Sequence, residues 1–255
     1  STETGAAIMA AAGAHIKRTS MELGGNCPFI VFQDAPLDRT ADDLVRLKFM
    51  ANGQMCVTAN RVFVHEKIAK EFAAKVAERV KKLKVGKGIA ETTDVGPLIN
   101  KDAVAHVQGL VAEAVSKGAT VACGGREALP PGLERGSFYP PTLLTAVTDD
   151  MRVAREEIFG PVIPMLTFKG EDEVVTRAND TPYGLAAYVY SGDTARGVRV
   201  ARRVRAGIVG INEMRPLRAE VPFGGLGASG VGREGGPEGW HEFAEARVFG
   251  LTENA

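Results

Sequence analysis

The chain has 255 residues, 45% hydrophobic and 24% charged, with 31 basic side chains balanced by 31 acidic ones. That suits a folded protein with a large core, and it excludes the basic footprint of a nucleic-acid binder and the polybasic face of a membrane-surface protein. Cys27, Cys56 and Cys123 complete no disulfide framework and match no zinc pattern, so a reducing, cytoplasmic setting without a metal is expected. Thirty glycines and thirteen prolines among periodic apolar segments predict an α/β chain with many short connections. No charge-free run approaches the ~18 residues of a membrane span, and no basic segment precedes the small, apolar first fourteen residues.

Ser-Thr-Glu-Thr-Gly followed by Ala6 to Arg18 predicts a first helix, with Ser1 or Thr2 as its cap. Thr19 to Leu23 and Cys27 to Phe32 read as short strands around Gly24-Gly25, and Leu37 to Met50 reads as a helix from Leu37, Ala41, Leu44, Val45 and Leu47. Arg61 to His65 is expected as a strand, and Lys67 to Lys84 as an amphipathic helix. Asn100 to Lys117 is a helix stopped by Gly118, followed by a strand, Thr120 to Cys123, and a turn-rich stretch from Gly124 to Gly136. Strands at Val162 to Phe168, Leu185 to Tyr190 and Gly207 to Asn212 alternate with helices at Glu171 to Asn179 and Thr194 to Arg205. Such alternation implies βαβ units in an open, twisted, mostly parallel sheet with helices on both faces.

Gly225-Leu226-Gly227-Ala228-Ser229-Gly230 fits the dinucleotide pattern G-x-G-x-x-G. That motif works only where a strand enters the glycine turn and a helix N-terminus faces the pyrophosphate, with an acidic residue ~20 positions on. Here Val221-Pro222-Phe223 precedes the glycines and further glycines follow, so the run reads as a loop. Cys56, in the bend Asn52-Gly53-Gln54-Met55-Cys56, is either a small buried hydrophobe or a nucleophile, which requires a depressed pKa or a nearby base, and exposure. Glu22, in the apolar run Met21 to Leu23, is either a rim charge or a base in an apolar site.

Glu22-Leu23-Gly24-Gly25-Asn26 followed by Gly53-Gln54-Met55-Cys56 resembles the aldehyde dehydrogenase superfamily. Glu156-Glu157-Ile158-Phe159-Gly160-Pro161-Val162, Asn179 to Leu185, and Pro222-Phe223-Gly224-Gly225 with Ser229-Gly230-Val231-Gly232-Arg233-Glu234 extend the resemblance, in order, along the whole chain. The resemblance implies the catalytic fold of that family and NAD(P)-dependent oxidation of a small aldehyde or semialdehyde. Cys56 matches the nucleophile that forms a thiohemiacetal and then a thioester, and Glu22 the base that activates water. Glu157 and Phe159 match residues at the nicotinamide ribose and ring, Leu23 lies on the cofactor side, and Ser1 matches the serine at the helix N-terminus that faces the pyrophosphate. Phe223 falls in the substrate pocket. The segments Met21 to Phe32 and Val209 to Asn212 are most similar to semialdehyde dehydrogenases, which commonly carry a basic residue where Met50 stands; Arg215 and Arg218 are the candidates to replace that charge.

Family subunits are about twice as long, so residues 1–26 are expected to be a remnant of the nucleotide-binding domain, 27–244 the catalytic domain and 245–255 an oligomerisation strand of a homodimer or homotetramer. The family's oxyanion asparagine and adenosine pocket lie outside the matched half. A dehydrogenase fragment inactive on its own, or a cofactor-free thiol esterase, stand as the alternative readings.

Overall fold

The computed structural model describes residues 1–253 and orders the apolar segments around one sheet. In chain order the elements are α1 (Thr2–Gly13), β1 (Met21–Glu22), β2 (Pro28–Val31), α2 (Leu37–Phe49), β3 (Arg61–His65), α3 (Ala69–Val80), α4 (Lys101–Ser116), β4 (Thr120–Cys123) and β5 (Thr142–Thr145). They continue with α5 (Arg152–Arg155), β6 (Val162–Phe168), α6 (Glu171–Asn179), β7 (Ala186–Tyr190), α7 (Thr194–Ala201), β8 (Ile208–Ile211), β9 (Gly230–Val231) and α8 (Gly236–His241). Seven strands form the sheet β4-β5-β6-β3-β2-β7-β8, in which only the β4–β5 pair is antiparallel.

The inner strands read as apolar runs because both faces of the sheet are covered there, whereas the edge strand β4 is mostly exposed. Phe29 and Val31 of β2, with Val62 and Val64 of β3, join Leu44 and Leu47 of α2 and Phe72 and Val76 of α3 in one core. The intervening residues Ile30 and Phe63 turn to the opposite core with Val107 and Leu110 of α4, Val174 of α6 and Val200 of α7. Burial of each such side chain contributes ~1.5–3 kcal/mol, so the alternation fixes both register and facing.

β3, β4, β6 and α6 have the expected bounds, whereas several other elements differ. α1 ends at Gly13 instead of Arg18. The strand expected over Thr19 to Leu23 contracts to β1, which leaves the main sheet and pairs antiparallel with β9, Met21 opposite Val231 and Glu22 opposite Gly230. Gly24 and Gly25 carry the chain past its neighbours too closely for a side chain: a Cβ on Gly24 would lie 2.7 Å from Glu157 Oε2, and one on Gly25 would collide with the Cys56 carbonyl oxygen. The helix expected from Lys67 begins with a tight turn, Glu66–Ile68, whose first amides are met by the His65 ring accepting from Lys67 N–H, and it ends at Val80. α7 stops at Ala201, short of Arg205. β5, α5, β9 and α8 were not legible, being two to six residues long or flanked by Pro140-Pro141.

Residues 245–253 of the proposed oligomerisation strand take no strand conformation in the single chain, with Val248, Phe249 and Leu251 exposed; residues 254 and 255 lie outside the described residues. Among the described residues, no helix is long and apolar enough to cross a membrane.

Candidate functional site

Ligands of open parallel sheets usually bind beyond the carboxyl ends of the strands. Here the singled-out segments meet at the opposite end: residues 22–27 lead into β2, 51–60 into β3 and 156–161 into β6. Below them lies a buried polar clamp. Asn60 Nδ2 donates to Asn26 Oδ1 (2.6 Å) and to the Glu156 carbonyl (2.8 Å), and Asn60 Oδ1 accepts from Ile158 N–H (3.0 Å). Asn26 Nδ2 reaches the Ala154 and Arg155 carbonyls, each at 3.2 Å, and the buried Arg61 guanidinium binds the Asn26 carbonyl. Every partner is satisfied, which makes such a network a rigid mount.

The clamp brings Cys56 and Glu22 together. Cys56 Sγ lies 3.5 Å from Glu22 Oε2, and both residues are partly buried. A Cβ on Gly25 would collide with the Cys56 carbonyl oxygen, so the segment carrying Glu22 crosses directly over the backbone of the cysteine. Burial first, and then the adjacent Glu22 carboxylate, push the Cys56 thiol up to about 12. Burial also raises the Glu22 carboxyl, helped by Glu234 and Glu157 and opposed by the thiol hydrogen bond. The other Glu22 oxygen, Oε1, is buried and accepts no hydrogen bond from the protein. Of the two routes to a reactive cysteine, a depressed pKa and an adjacent base, this geometry lacks the first, since the thiol is raised, and has a carboxylate beside the sulfur for the second. Cys27 is different in kind, fully buried and donating to the Cys56 carbonyl at 3.3 Å.

Glu157 is half-buried beside this pair. Its Oε1 accepts from Gly25 N–H at 2.8 Å, and burial raises its carboxyl. Phe159 keeps 43% of its surface exposed on a left-handed backbone, φ 47°, a conformation that non-glycine residues rarely adopt. Ser1 is the cap of α1: its Oγ accepts from Thr4 N–H at 3.3 Å. Leu23 packs its methyls onto Gly5 of α1, and its N–H donates to the Ser229 carbonyl, so its visible role is to seat α1.

On the far side of Cys56, Phe223 packs against the same core cluster as Met55 and Cys56 and exchanges backbone hydrogen bonds with Glu234, each 2.6 Å. The Arg215 Nη2 donates to Met50 Sδ at 3.4 Å, so a guanidinium reaches the Met50 side chain. Arg218 does not join it, because its Nη1 folds back onto the carbonyls of Arg215 and Leu217. Met50 and Arg215 line a cleft of about 390 Å³ that mixes Arg46 and Arg79 with Asp42 and Asp94; Cys56, Glu22 and Phe223 are not among its lining residues. The glycine run at 225–230 is a loop ending in a tight turn and β9, with Gly230 at φ 127° against the Met21 carbonyl; no helix N-terminus follows its glycines.

Two features escaped the sequence reading. The Asn26–Asn60 clamp left no periodic signal. Lys48 of α2 is fully buried, its Nζ has no hydrogen-bond partner, and burial lowers its pKa to about 7, opposed by Cys27 and Glu157. It follows Ala41, Leu44 and Val45 at helical spacing, which was the available signal.

The aldehyde dehydrogenase family profile matches residues 1–249. A probable succinate-semialdehyde dehydrogenase [NADP(+)] of Sinorhizobium fredii is 45% identical over 98% of this chain and 50% of its own length. A glutarate-semialdehyde dehydrogenase of Pseudomonas putida is 46% identical over 99% of the chain and 51% of its own. Betaine aldehyde dehydrogenase of Staphylococcus aureus, solved in complex with NAD+, superposes with a TM-score of 0.91 at 37% identity, covering 95% of this chain and 48% of that one. The chain thus spans about half the length of the relatives it matches.

Proposed function

The chain belongs to the aldehyde dehydrogenase family, and we propose that it carries the catalytic half of an enzyme that oxidises an acid-terminated aldehyde to the corresponding acid with NAD or NADP. The observation that carries this reading is the 3.5 Å approach of Cys56 Sγ to Glu22 Oε2, made by segments far apart in sequence. Cys56 Sγ attacks the carbonyl carbon as the thiol proton passes to solvent, and the resulting thiohemiacetal oxyanion loses hydride to become a thioester on the same sulfur. Glu22 then removes a proton from water as the water oxygen attacks the thioester, and passes that proton to the Cys56 sulfur as the acid departs. The raised carboxyl of Glu22 suits this transfer, because a base works best when its pKa lies near the working pH.

When bound, the nicotinamide accepts the hydride. The residues present fit that end of the cofactor: Glu157 offers an acceptor for ribose hydroxyls, Phe159 an exposed ring, and the start of α1 backbone N–H groups for an anion, Ser1 Oγ being committed to Thr4. The relatives' names include anionic semialdehydes and a cationic betaine aldehyde. Arg215 at Met50 favours the anionic class, since a guanidinium attracts a distal carboxylate and repels a quaternary ammonium.

Because the chain spans half of its relatives, the test uses a reaction that needs only Cys56 and Glu22. With p-nitrophenyl acetate, a burst of nitrophenol equal to the protein present is expected, abolished by Cys56→Ala. In Glu22→Gln the burst should persist while the following turnover slows ~10²–10⁴-fold. A burst that survives Cys56→Ala would overturn the assignment.

A further inference from the structure

We infer that Asn52 is a positioning residue for Cys56: its carboxamide holds a strained turn that aims the thiol at Glu22, an inference that rests on the Cys56–Glu22 reading above. Ala51, Asn52 and Gly53 all have left-handed backbones, with φ of 49°, 60° and 76°. Such a run is unfavourable for L-residues unless neighbours enforce it. Two neighbours do.

On one side lies the segment 94–99. Asn52 Oδ1 accepts from Gly96 N–H at 2.8 Å, and Asn52 Nδ2 donates to the Pro97 carbonyl at 3.0 Å. Gln54 Oε1 adds a third tie, accepting from Ile99 N–H at 2.9 Å. The strap is itself anchored. Val95 is buried in the core beneath α2 and α3, Leu98 in the core on the opposite face, and the Leu98 N–H donates to the Ser137 carbonyl at 2.8 Å. On the other side, a Cβ on Gly53 would overlap the Gly160 carbonyl oxygen, so this turn is seated against the one that holds Phe159 at φ 47°. The turn before the nucleophile is wedged between a strap fixed in both cores and the backbone that presents Phe159.

Asparagine suits the position for two separate reasons: it tolerates a left-handed backbone better than most residues, and its amide is donor and acceptor at once. Aspartate would keep the bond from Gly96 N–H and lose the one to Pro97; glycine would keep the backbone and lose both.

The experiment labels the chain with iodoacetamide and quantifies the three cysteines by peptide mass spectrometry. Cys123, in β4 away from this turn, is the internal reference, and the fully buried Cys27 reports unfolding. In Asn52→Gly the Cys56:Cys123 labelling ratio is expected to rise roughly three- to tenfold, the size of coupling within one hydrogen-bond network, as the thiol leaves the carboxylate that suppresses its ionisation. Glu22→Gln should raise Cys56 labelling in the native chain and have much less effect in the Asn52→Gly background, a loss of coupling that general loosening of the fold would not produce. Asn52→Asp should fall between the two, and it decides the matter if Asn52→Gly exposes Cys27. A Cys56:Cys123 ratio unchanged in the folded variant overturns the positioning role. A native Cys56 indifferent to Glu22→Gln overturns the pairing with Glu22 instead, and the ratio in Asn52→Gly then still decides whether Asn52 constrains the thiol.

Discussion

In the sheet, Phe29 and Val31 face one core while Ile30 faces the other, and all three are fully buried with ordinary strand backbones. At the rim above the amino ends of the same strands, Ala51, Asn52 and Phe159 hold left-handed backbones, Glu22 keeps a buried oxygen without a hydrogen bond, and Cys56 and Glu22 share a space that favours neither of their charged forms. The buried strand residues stabilise the sheet. The rim gives up some stability, and the Asn26–Asn60–Arg61 clamp between them lets one support the other.

The contrast breaks first at Glu22. Glu22→Gln should slow deacylation by ~10²–10⁴-fold yet leave the chain at least as stable as before. The sign follows from linkage. A carboxyl raised in the native state contributes stability that is fully present below its ordinary value of 4.5 and lost as pH rises through the native value. The thermal midpoint of the variant should therefore match the native chain at about pH 4 and exceed it near neutrality. A lower midpoint at neutral pH would mean that Glu22 is a structural residue. Phe63→Ala should show the reverse, costing ~3–5 kcal/mol of stability, read by urea unfolding, because Phe63 is fully buried in the core on the α4 and α6 face.

What could be read from the sequence divides along the same line. β6 and α6 have the bounds their patterns gave, because burial imposes periods of two and 3.6 residues that are written in the chain. Cys56, Glu22 and Glu157 were singled out through the ordered motif blocks, and nothing in their spacing showed that Gly25 would cross the Cys56 carbonyl. The contact of Arg215 with Met50, and the strap at Asn52, join segments 165 and 44 residues apart through side chains with no periodic partner, so no local pattern foretold them. β1 misled because Met21 to Leu23 is apolar enough for the sheet, yet the glycines after it lead to Glu157 and Cys56 instead.

Lys48 sharpens the comparison from within, as a charged residue placed where the sheet's rules hold. Its pKa falls from 10.5 to about 7 through burial, so the native state resists protonation. Stability should then be greatest at high pH, fall as pH drops from 10.5 towards 7, and carry a constant penalty below that. Lys48→Met removes the penalty without breaking any hydrogen bond of Nζ, so the variant should be more stable at about pH 6 by ~1–4 kcal/mol, with the advantage shrinking as pH rises. Denaturant midpoints across that range measure it. A variant less stable at pH 6 would show that the ammonium has an anionic partner.

The smallest effect belongs to Arg215, because its guanidinium is exposed and an exposed charge is screened. Acylation of Cys56 by a p-nitrophenyl ester of a dicarboxylic acid, compared with a neutral ester of equal length, isolates recognition of the distal charge from hydride transfer. Arg215→Gln should lower the preference for the acidic ester by about 1.4-fold to fivefold, equivalent to the 0.2–1 kcal/mol typical of exposed charge pairs, and added salt should produce the same loss in the native chain. Met50→Arg should raise the preference, since it places a second guanidinium where Arg215 now meets the methionine sulfur 3.4 Å away. Repulsion between the two cations should limit that gain in the absence of an anionic substrate and make it more sensitive to salt. If neither substitution nor salt changes the ratio, the distal carboxylate binds elsewhere, and the proximity of Arg215 to Met50 is packing of the loop that precedes Phe223.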